Sequence, residues 1–156
     1  MKTITILSGA DRVGKSTLAS SLEKPGVCRV RHFGPPPLDR PLFSDVREEI
    51  ADWHLSGEPQ LVLDRSYVCS YCMNQPDVLD AILEFEWDHR NLNIRHLGVW
   101  ESWQVVARRH VEEIQMLGIE NHVEEYKERM ETHQSYYEKL EDFYDFVTMF
   151  PHKWST

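Results

Sequence analysis

The chain of 156 residues is 41% hydrophobic and 28% charged, a length and composition that predict one globular domain, residues 1–156. No apolar run approaches the length that spans a membrane, so we expect no membrane partner. Its three cysteines argue against a disulfide framework and favour a reducing compartment, which predicts a cytoplasmic location.

The net charge of −9 is distributed unevenly along the sequence. Residues 1–47 carry eight Lys or Arg against four Asp or Glu, and the remaining residues carry nine against 22. The basic first third favours a small anionic ligand that is bound locally. The acidic remainder argues against nucleic acid as a partner, because nucleic-acid tracks usually need a broad basic surface. A homodimer is compatible with the sequence.

Hydrophobic patterning predicts five strands that alternate with helices. The strands cover residues 2–8, 27–33, 60–64, 94–100 and 146–150. The helices cover residues 14–23, 42–55, 66–75, 76–90, 102–116 and 120–141. Because parallel strands are joined by helical crossovers, this alternation predicts an α/β fold of three α/β/α layers with a five-stranded parallel sheet.

Residues 9–16, Gly-Ala-Asp-Arg-Val-Gly-Lys-Ser, match the pattern of a Gly, four residues and Gly-Lys-Ser/Thr. They lie between a predicted strand and a predicted helix, the context that separates a phosphate loop from a chance match on a glycine turn. In such a loop, backbone N–H groups surround phosphate oxygens, Lys15 reaches the β- and γ-phosphates, and Ser16 binds Mg²⁺. The sequence therefore predicts a P-loop NTPase fold with ATP and Mg²⁺ as cofactors. The other predicted nucleotide contacts are Gly9, Val13, Gly14 and Thr17.

The stretch "LVLDRS" places Asp64 and Arg65 at the end of a short apolar strand. Ligands of parallel sheets bind at the carboxyl ends of the strands, so this pair is expected beside the phosphate loop. Asp64 would hold the water shell of the metal or take a hydroxyl proton, and Arg65 would bridge two phosphates. The alternative is a helix cap with a surface ion pair. The guanine-reading stretch Asn-Lys-x-Asp is absent, which favours a kinase over a switch GTPase.

The stretches "SGADRVGKSTLA" and "LVLDRSYVCSYCMNQ" resemble thymidylate kinase and its small nucleoside monophosphate kinase relatives. "ARRHVEEIQ" and the long helical stretch after it are similar to the lid region of that family, which places a short lid at 109–122. The resemblance implies transfer of the ATP γ-phosphoryl group to a deoxynucleoside monophosphate, either thymidylate or a related pyrimidine nucleotide. The expected partner is thus a small-molecule nucleotide acceptor.

The resemblance also assigns roles to the charged pair inside the loop. It implies that Arg12 reaches the γ-phosphate and stabilises the group in transfer, and that Asp11 accepts a hydrogen bond from the 3′-hydroxyl of the acceptor. Family versions with a loop arginine tend to lack bases in the lid, and the stretch 111–125 has no Lys or Arg. Arg108, at the base of the lid, is a further predicted ATP contact.

The acceptor is expected to lie against two helices. Phe43, Arg47 and Ile50 share one helical stripe, on which Phe43 would stack on the base and Arg47 would hold the phosphate, as similarly placed residues of the family do. The alternative is that Phe43 belongs to the core and Arg47 is solvated. Ser70 and Asn74 lie one turn apart and would read the edge of the base, or else form plain helix surface.

The sequence departs from the family in the loop after the second strand, which usually holds an acidic residue. Here that loop reads "RHFGPPPLDR", where Asp39 is the candidate substitute. Three alternative functions stay open: a kinase for nucleosides or other small hydroxyl compounds, a kinase for a modified base in DNA, and a nucleotide-dependent binding module. The arginines near the expected cleft favour the monophosphate acceptor, which mainly needs cations, over a neutral hydroxyl, which needs a general base.

Overall fold

The computed structural model describes residues 2–10, 13–34, 36–37, 40–73, 78–109 and 123–148. They form one parallel sheet of four strands with six helices. The strands are β1 (Thr3–Ser8), β2 (Cys28–His32), β3 (Gln60–Asp64) and β4 (Asn93–Gly98). The helices are α1 (Lys15–Leu22), α2 (Phe43–Ser56), α3 (Tyr67–Met73), α4 (Leu79–Asp88), α5 (103–109) and α6 (Val123–Thr148). The predicted mixed α/β class and parallel sheet are confirmed.

Successive side chains of the central strand belong alternately to two separate apolar clusters. Ile4 and Ile6 of β1 belong to the larger cluster, together with side chains of α2, α3, α4 and α6. Leu7 faces the other way and packs with Ala19 of α1. Because successive side chains of a strand point to opposite faces, the clusters mark the two faces of the sheet, and helices pack on both.

The strand order is β2-β3-β1-β4, so β1 and β3 are neighbours at the centre of the sheet. The chain leaves β1 through α1 on one face and leaves β3 through α3 and α4 on the other face. Neighbouring strands whose connections run to opposite faces leave a crevice at their carboxyl ends, where ligands of such sheets bind. The crevice falls between Ser8 and Asp64.

The predicted fifth strand at 146–150 is wrong, since residues up to Thr148 belong to α6, and residues 149–150 lie outside the described part of the chain. The stretch has the β-branched and aromatic composition of a strand. Its apolar residues nevertheless keep a helical spacing, in which Leu140, Phe143, Tyr144 and Val147 all pack against the larger cluster. Burial at that spacing outweighs the local β-propensity, which is a weak preference.

The long helix that replaces the strand is amphipathic rather than apolar. Within the described residues, no helix combines the length and the apolar character needed to cross a membrane.

Candidate functional site

The predicted phosphate loop joins β1 to α1, and its residues 9–10 and 13–16 are described. Gly14 precedes α1 with a φ of 90°, in the left-handed region that glycine adopts without strain. At Gly9, an added Cβ would lie 2.5 Å from the carbonyl oxygen of Val99, so only glycine fits. Backbone geometry therefore excludes a side chain at position 9 and favours glycine at position 14. Asp11 and Arg12 lie outside the described residues.

Lys15 is the first residue of α1 and is only 4% exposed. Its Nζ donates a hydrogen bond to the carbonyl oxygen of Gly9 at 3.1 Å, and it lies 3.8 Å from Oδ1 of Asp64. The ammonium group is thus held at the mouth of the loop by a backbone carbonyl and a carboxylate. Of the other loop residues, Val13 is buried, and Ser16 and Thr17 are exposed.

Asp64 ends β3 and contacts side chains from two other elements, α1 and β2. Its Oδ2 accepts a hydrogen bond from the hydroxyl of Ser16 at 2.7 Å. Its carboxylate is buried, and Oδ1 has no hydrogen-bond partner among the described residues, although it faces Lys15. A hydroxyl and a carboxylate with a spare oxygen form the hard oxygen donor set that Mg²⁺ prefers, so these residues fit the predicted metal.

His32 completes this group, and sequence reasoning missed it. His32 ends β2 and lies opposite Asp64 in the parallel register. Its Nδ1 lies 2.7 Å from Oδ2 of Asp64, and its Nε2 lies 3.3 Å from the hydroxyl of Ser20. The imidazole is 44% exposed, so it joins the buried carboxylate to the solvent. The available signal was its position at the carboxyl end of a predicted strand.

Arg65 adopts a φ of 76°, the one positive value among the described residues other than glycine. A long side chain in the left-handed region carries backbone strain, which persists only where the surroundings fix it. Here the N–H of Arg65 donates to the carbonyl oxygen of Leu7 at 3.2 Å, and Ser66 accepts the N–H of Val68 at 3.1 Å. These bonds keep the turn after β3 beside the end of β1.

Two tyrosines of α6 hold the start of the loop, and sequence reasoning missed them as well. The hydroxyl of Tyr136 accepts the N–H of Gly9 at 3.0 Å. That of Tyr137 accepts the N–H of Ala10 at 3.2 Å and donates to the carbonyl oxygen of Val99 at 2.6 Å. Burial raises the pKa of Tyr136 well above its usual value and raises the pKa of Tyr137 to about 12. Both hydroxyls are therefore neutral at physiological pH.

The predicted acceptor residues lie in different environments. Phe43 is partly buried and stacks on Tyr67, with ring centroids 5.2 Å apart. Arg47 is exposed, and its guanidinium carbon lies 5.1 Å from the ring centroid of Phe85. This arrangement matches the alternative in which Phe43 belongs to the core and Arg47 is solvated.

Ser70 is fully buried rather than part of a helix surface. Its hydroxyl oxygen accepts the backbone N–H of Leu42 at 3.1 Å, which fixes the start of α2. Its observed contact is therefore structural. Arg108 is exposed on α5. Asn74, Asp39 and residues 110–122 of the predicted lid lie outside the described residues.

The structure thus brings together Lys15, Ser16 and Asp64, as the sequence predicted, and adds His32 to them. A comparison of the chain with protein-family models gave no match, and a comparison with curated proteins gave none either. The family resemblance therefore enters below as a proposal.

Proposed function

We propose that this protein is a P-loop kinase that binds Mg-ATP at residues 9–16 and transfers the γ-phosphoryl group to a small nucleotide, a pyrimidine deoxynucleoside monophosphate. The observation that carries the proposal is the convergence of Lys15 and Ser16 on Asp64 at the central crevice of a parallel sheet. A phosphate loop and a strand-end carboxylate are the two parts that hold a nucleotide and its metal in P-loop enzymes.

In this proposal the described residues of the site, Lys15, Ser16, Asp64 and Arg65, each have a defined role. Bound Mg-ATP supplies the transferable phosphoryl group and a divalent charge that offsets its oxygens. Ser16 and Asp64 hold the metal, and Lys15 exchanges its bond to Gly9 for the phosphates. Arg65, in its constrained turn, faces the transferring group, since a positioned guanidinium stabilises charge without reorganisation.

The remaining roles follow from the family resemblance. Arg12 acts on the γ-phosphate from within the loop, and Asp11 accepts the 3′-hydroxyl of the acceptor. Phe43 and Arg47 contact the base and phosphate of the acceptor, Asn74 reads the edge of the base, and Arg108 contacts ATP. A lid at 109–122 closes over the site in the three-layer fold of this kinase class.

His32 favours a second candidate function, a kinase for nucleosides or other neutral hydroxyl compounds. Such acceptors need a general base, and an imidazole paired with a carboxylate is a common one. His32 is partly exposed and bonded to Asp64 at 2.7 Å, so it is suited to that task.

One acceptor screen separates the two functions. Purified protein is incubated with Mg-ATP and each common nucleoside or nucleoside monophosphate, and the products are resolved by mass. The proposal predicts a nucleoside diphosphate from a pyrimidine deoxynucleoside monophosphate, whereas the second candidate predicts a monophosphate from a nucleoside.

A matched pair of variants ties the activity to the loop. Lys15→Ala should lower turnover by about 10²–10⁴, because the transfer depends on positioned cations. Lys24→Ala removes an exposed lysine after α1 and should keep turnover within about twofold. Product formation that is equal in the two variants would refute the assignment of the phosphate site, and ATP loss without any acceptor product would point to a binding module.

A further inference from the structure

A second groove lies at the edge of the sheet opposite to Asp64, at the amino-terminal ends of the strands. It is bounded by the ends of α2 and α4 and by the residues that precede β1 and β4, which begin side by side at Thr3 and Asn93. Its volume is about 730 Å³. Cavities that bind small molecules have volumes of about 300–1,000 Å³, so the groove has the size of a ligand site.

The charge of this groove is opposite to that of the chain. Its described lining includes four basic side chains and no carboxylate, although the chain has 26 acidic residues against 17 Lys and Arg. The four are Lys2, Arg47, His54 and His89. Such a concentration of bases in an acidic protein raises the local concentration of small anions.

The rest of the lining is mainly apolar. Trp53 is fully buried and lies under Lys2, whose Nζ is 4.9 Å from the centroid of the indole ring. The indole Nε1 is buried and has no hydrogen-bond partner among the described residues. Because the whole Trp53 side chain is buried, Lys2 rather than the indole is presented to the groove. Ile50 adds further apolar surface.

We propose that this groove, called here the amino-edge groove, binds a small amphipathic anion. The apolar body of the ligand lies against Ile50 and the exposed Leu55, and its carboxylate, sulfonate or phosphate group is held by Lys2 and His54. The combination follows the usual design of ligand sites, in which an apolar lining provides contact area and a few polar groups fix orientation. Apart from Arg47, which the proposed kinase function assigns to the acceptor phosphate, the lining of this groove takes no part in the proposed activity, and the groove lies away from the phosphate loop.

The test uses two dyes that share an aromatic body and differ in charge. The anionic probe is 8-anilinonaphthalene-1-sulfonate, and the neutral probe is N-phenyl-1-naphthylamine. Both are titrated by fluorescence into wild type, Lys2→Glu, His54→Glu and the matched control Lys24→Glu, whose exposed lysine lies away from the groove. Thermal melts establish that each variant is folded, and the titrations are repeated in Lys15→Ala.

We expect Lys2→Glu and His54→Glu each to weaken binding of the sulfonate by about tenfold, because an attraction is replaced by a repulsion. Lys24→Glu should change it by less than about twofold, since a distant surface charge is screened. The neutral probe should respond to none of these changes by more than about twofold. Sulfonate binding should persist in Lys15→Ala.

Three results would overturn the proposal. The first is equal weakening in Lys2→Glu and Lys24→Glu. The second is wild-type affinity for the neutral probe as high as that for the sulfonate. The third is loss of sulfonate binding in Lys15→Ala. Sedimentation of the same samples tests one further alternative. If Lys2→Glu changes the oligomeric state and wild type does not bind the sulfonate, the groove is a contact between subunits and the proposal fails.

Discussion

The hydroxyl of Ser16 donates a 2.7 Å hydrogen bond to the carboxylate of Asp64, although 48 residues separate them in sequence. The bond links the first turn of α1 to the end of β3 and lies at the central crevice of the sheet. It holds two oxygen ligands of the kind that Mg²⁺ prefers within reach of one ion. A substitution at Asp64 is therefore the most direct single test of the proposed metal site.

Asp64→Asn keeps the shape of the side chain and removes its charge. We expect turnover at fixed Mg²⁺ to fall by about 10²–10⁴ and the Mg²⁺ concentration for half-maximal activity to rise, because the metal loses an anionic ligand. Initial rates across a Mg²⁺ series measure both effects. Asp52→Asn, on the exposed side of α2, is the matched control. Unchanged Mg²⁺ dependence in Asp64→Asn would remove Asp64 from the metal site.

Tyr137→Phe tests whether α6 holds the loop in place. The change removes the bonds to Ala10 and Val99, and we expect a lower free energy of unfolding by about 1–3 kcal/mol, since two backbone groups lose their partner. The Michaelis constant for ATP should rise as well, because the start of the loop loses its support. Chemical denaturation and steady-state kinetics measure the two effects. If the variant loses stability but keeps the wild-type Michaelis constant for ATP, the role of Tyr137 is structural only.

The same tyrosine predicts a dependence of stability on alkaline pH. Burial raises the pKa of Tyr137 from 10.0 to about 12 in the folded protein, so folding favours the neutral phenol. This contribution to stability is complete below pH 10 and is lost as the pH rises towards 12. The free energy of unfolding should therefore fall less between pH 9 and 11 in Tyr137→Phe than in wild type. An equal fall in both proteins would contradict the prediction.

Glu86 is a fully buried carboxylate that the proposed chemistry does not use. Its Oε1 accepts a hydrogen bond from the hydroxyl of Tyr67 at 2.8 Å and lies 2.6 Å from Nε2 of His96. Glu86→Gln should lower the free energy of unfolding by about 1–3 kcal/mol, because the hydrogen bonds from Tyr67 and His96 lose their charged acceptor. Glu84→Gln, exposed on the same helix, should change it by less than about 0.5 kcal/mol. Similar denaturation midpoints for the two variants would contradict this role.

Local sequence patterns were sufficient to predict much of the fold. β1 and β3 are short runs rich in aliphatic residues, β2 and β4 mix aliphatic with polar residues, and all four were predicted near their observed bounds. The loop motif and the strand-end carboxylate Asp64 were also predictable, since spacing and position alone identify them. These features depend on residues that are close together in sequence.

The features that were missed depend on contacts between distant segments. His32 lies beside Asp64 only because β2 pairs with β3 in a parallel register, and no local pattern specifies that neighbour. Tyr136 and Tyr137 reach the loop across 127 residues. Residues 146–148 were assigned to a strand because their composition was weighted above their helical spacing. Tertiary packing decided each of these cases.

The proposed role of Asp11 rests on the family resemblance. A carboxylate that accepts the 3′-hydroxyl of the acceptor makes a charge-assisted hydrogen bond worth about 1.5–3 kcal/mol. This corresponds to a preference of roughly 10- to 150-fold in kcat/KM for the normal acceptor over its 2′,3′-dideoxy analogue. Part of the preference arises because the analogue leaves a desolvated carboxylate without a partner.

Asp11→Ala should therefore slow the normal acceptor more than the dideoxy analogue and bring the ratio of their kcat/KM values towards one. The measurement is kcat/KM for both acceptors with both enzymes at saturating Mg-ATP. Asp52→Ala, on the exposed side of α2, serves as the control and should keep the wild-type ratio. An unchanged ratio in Asp11→Ala would place this carboxylate away from the sugar, and its function in the loop would then be to pair with a neighbouring base such as Arg12.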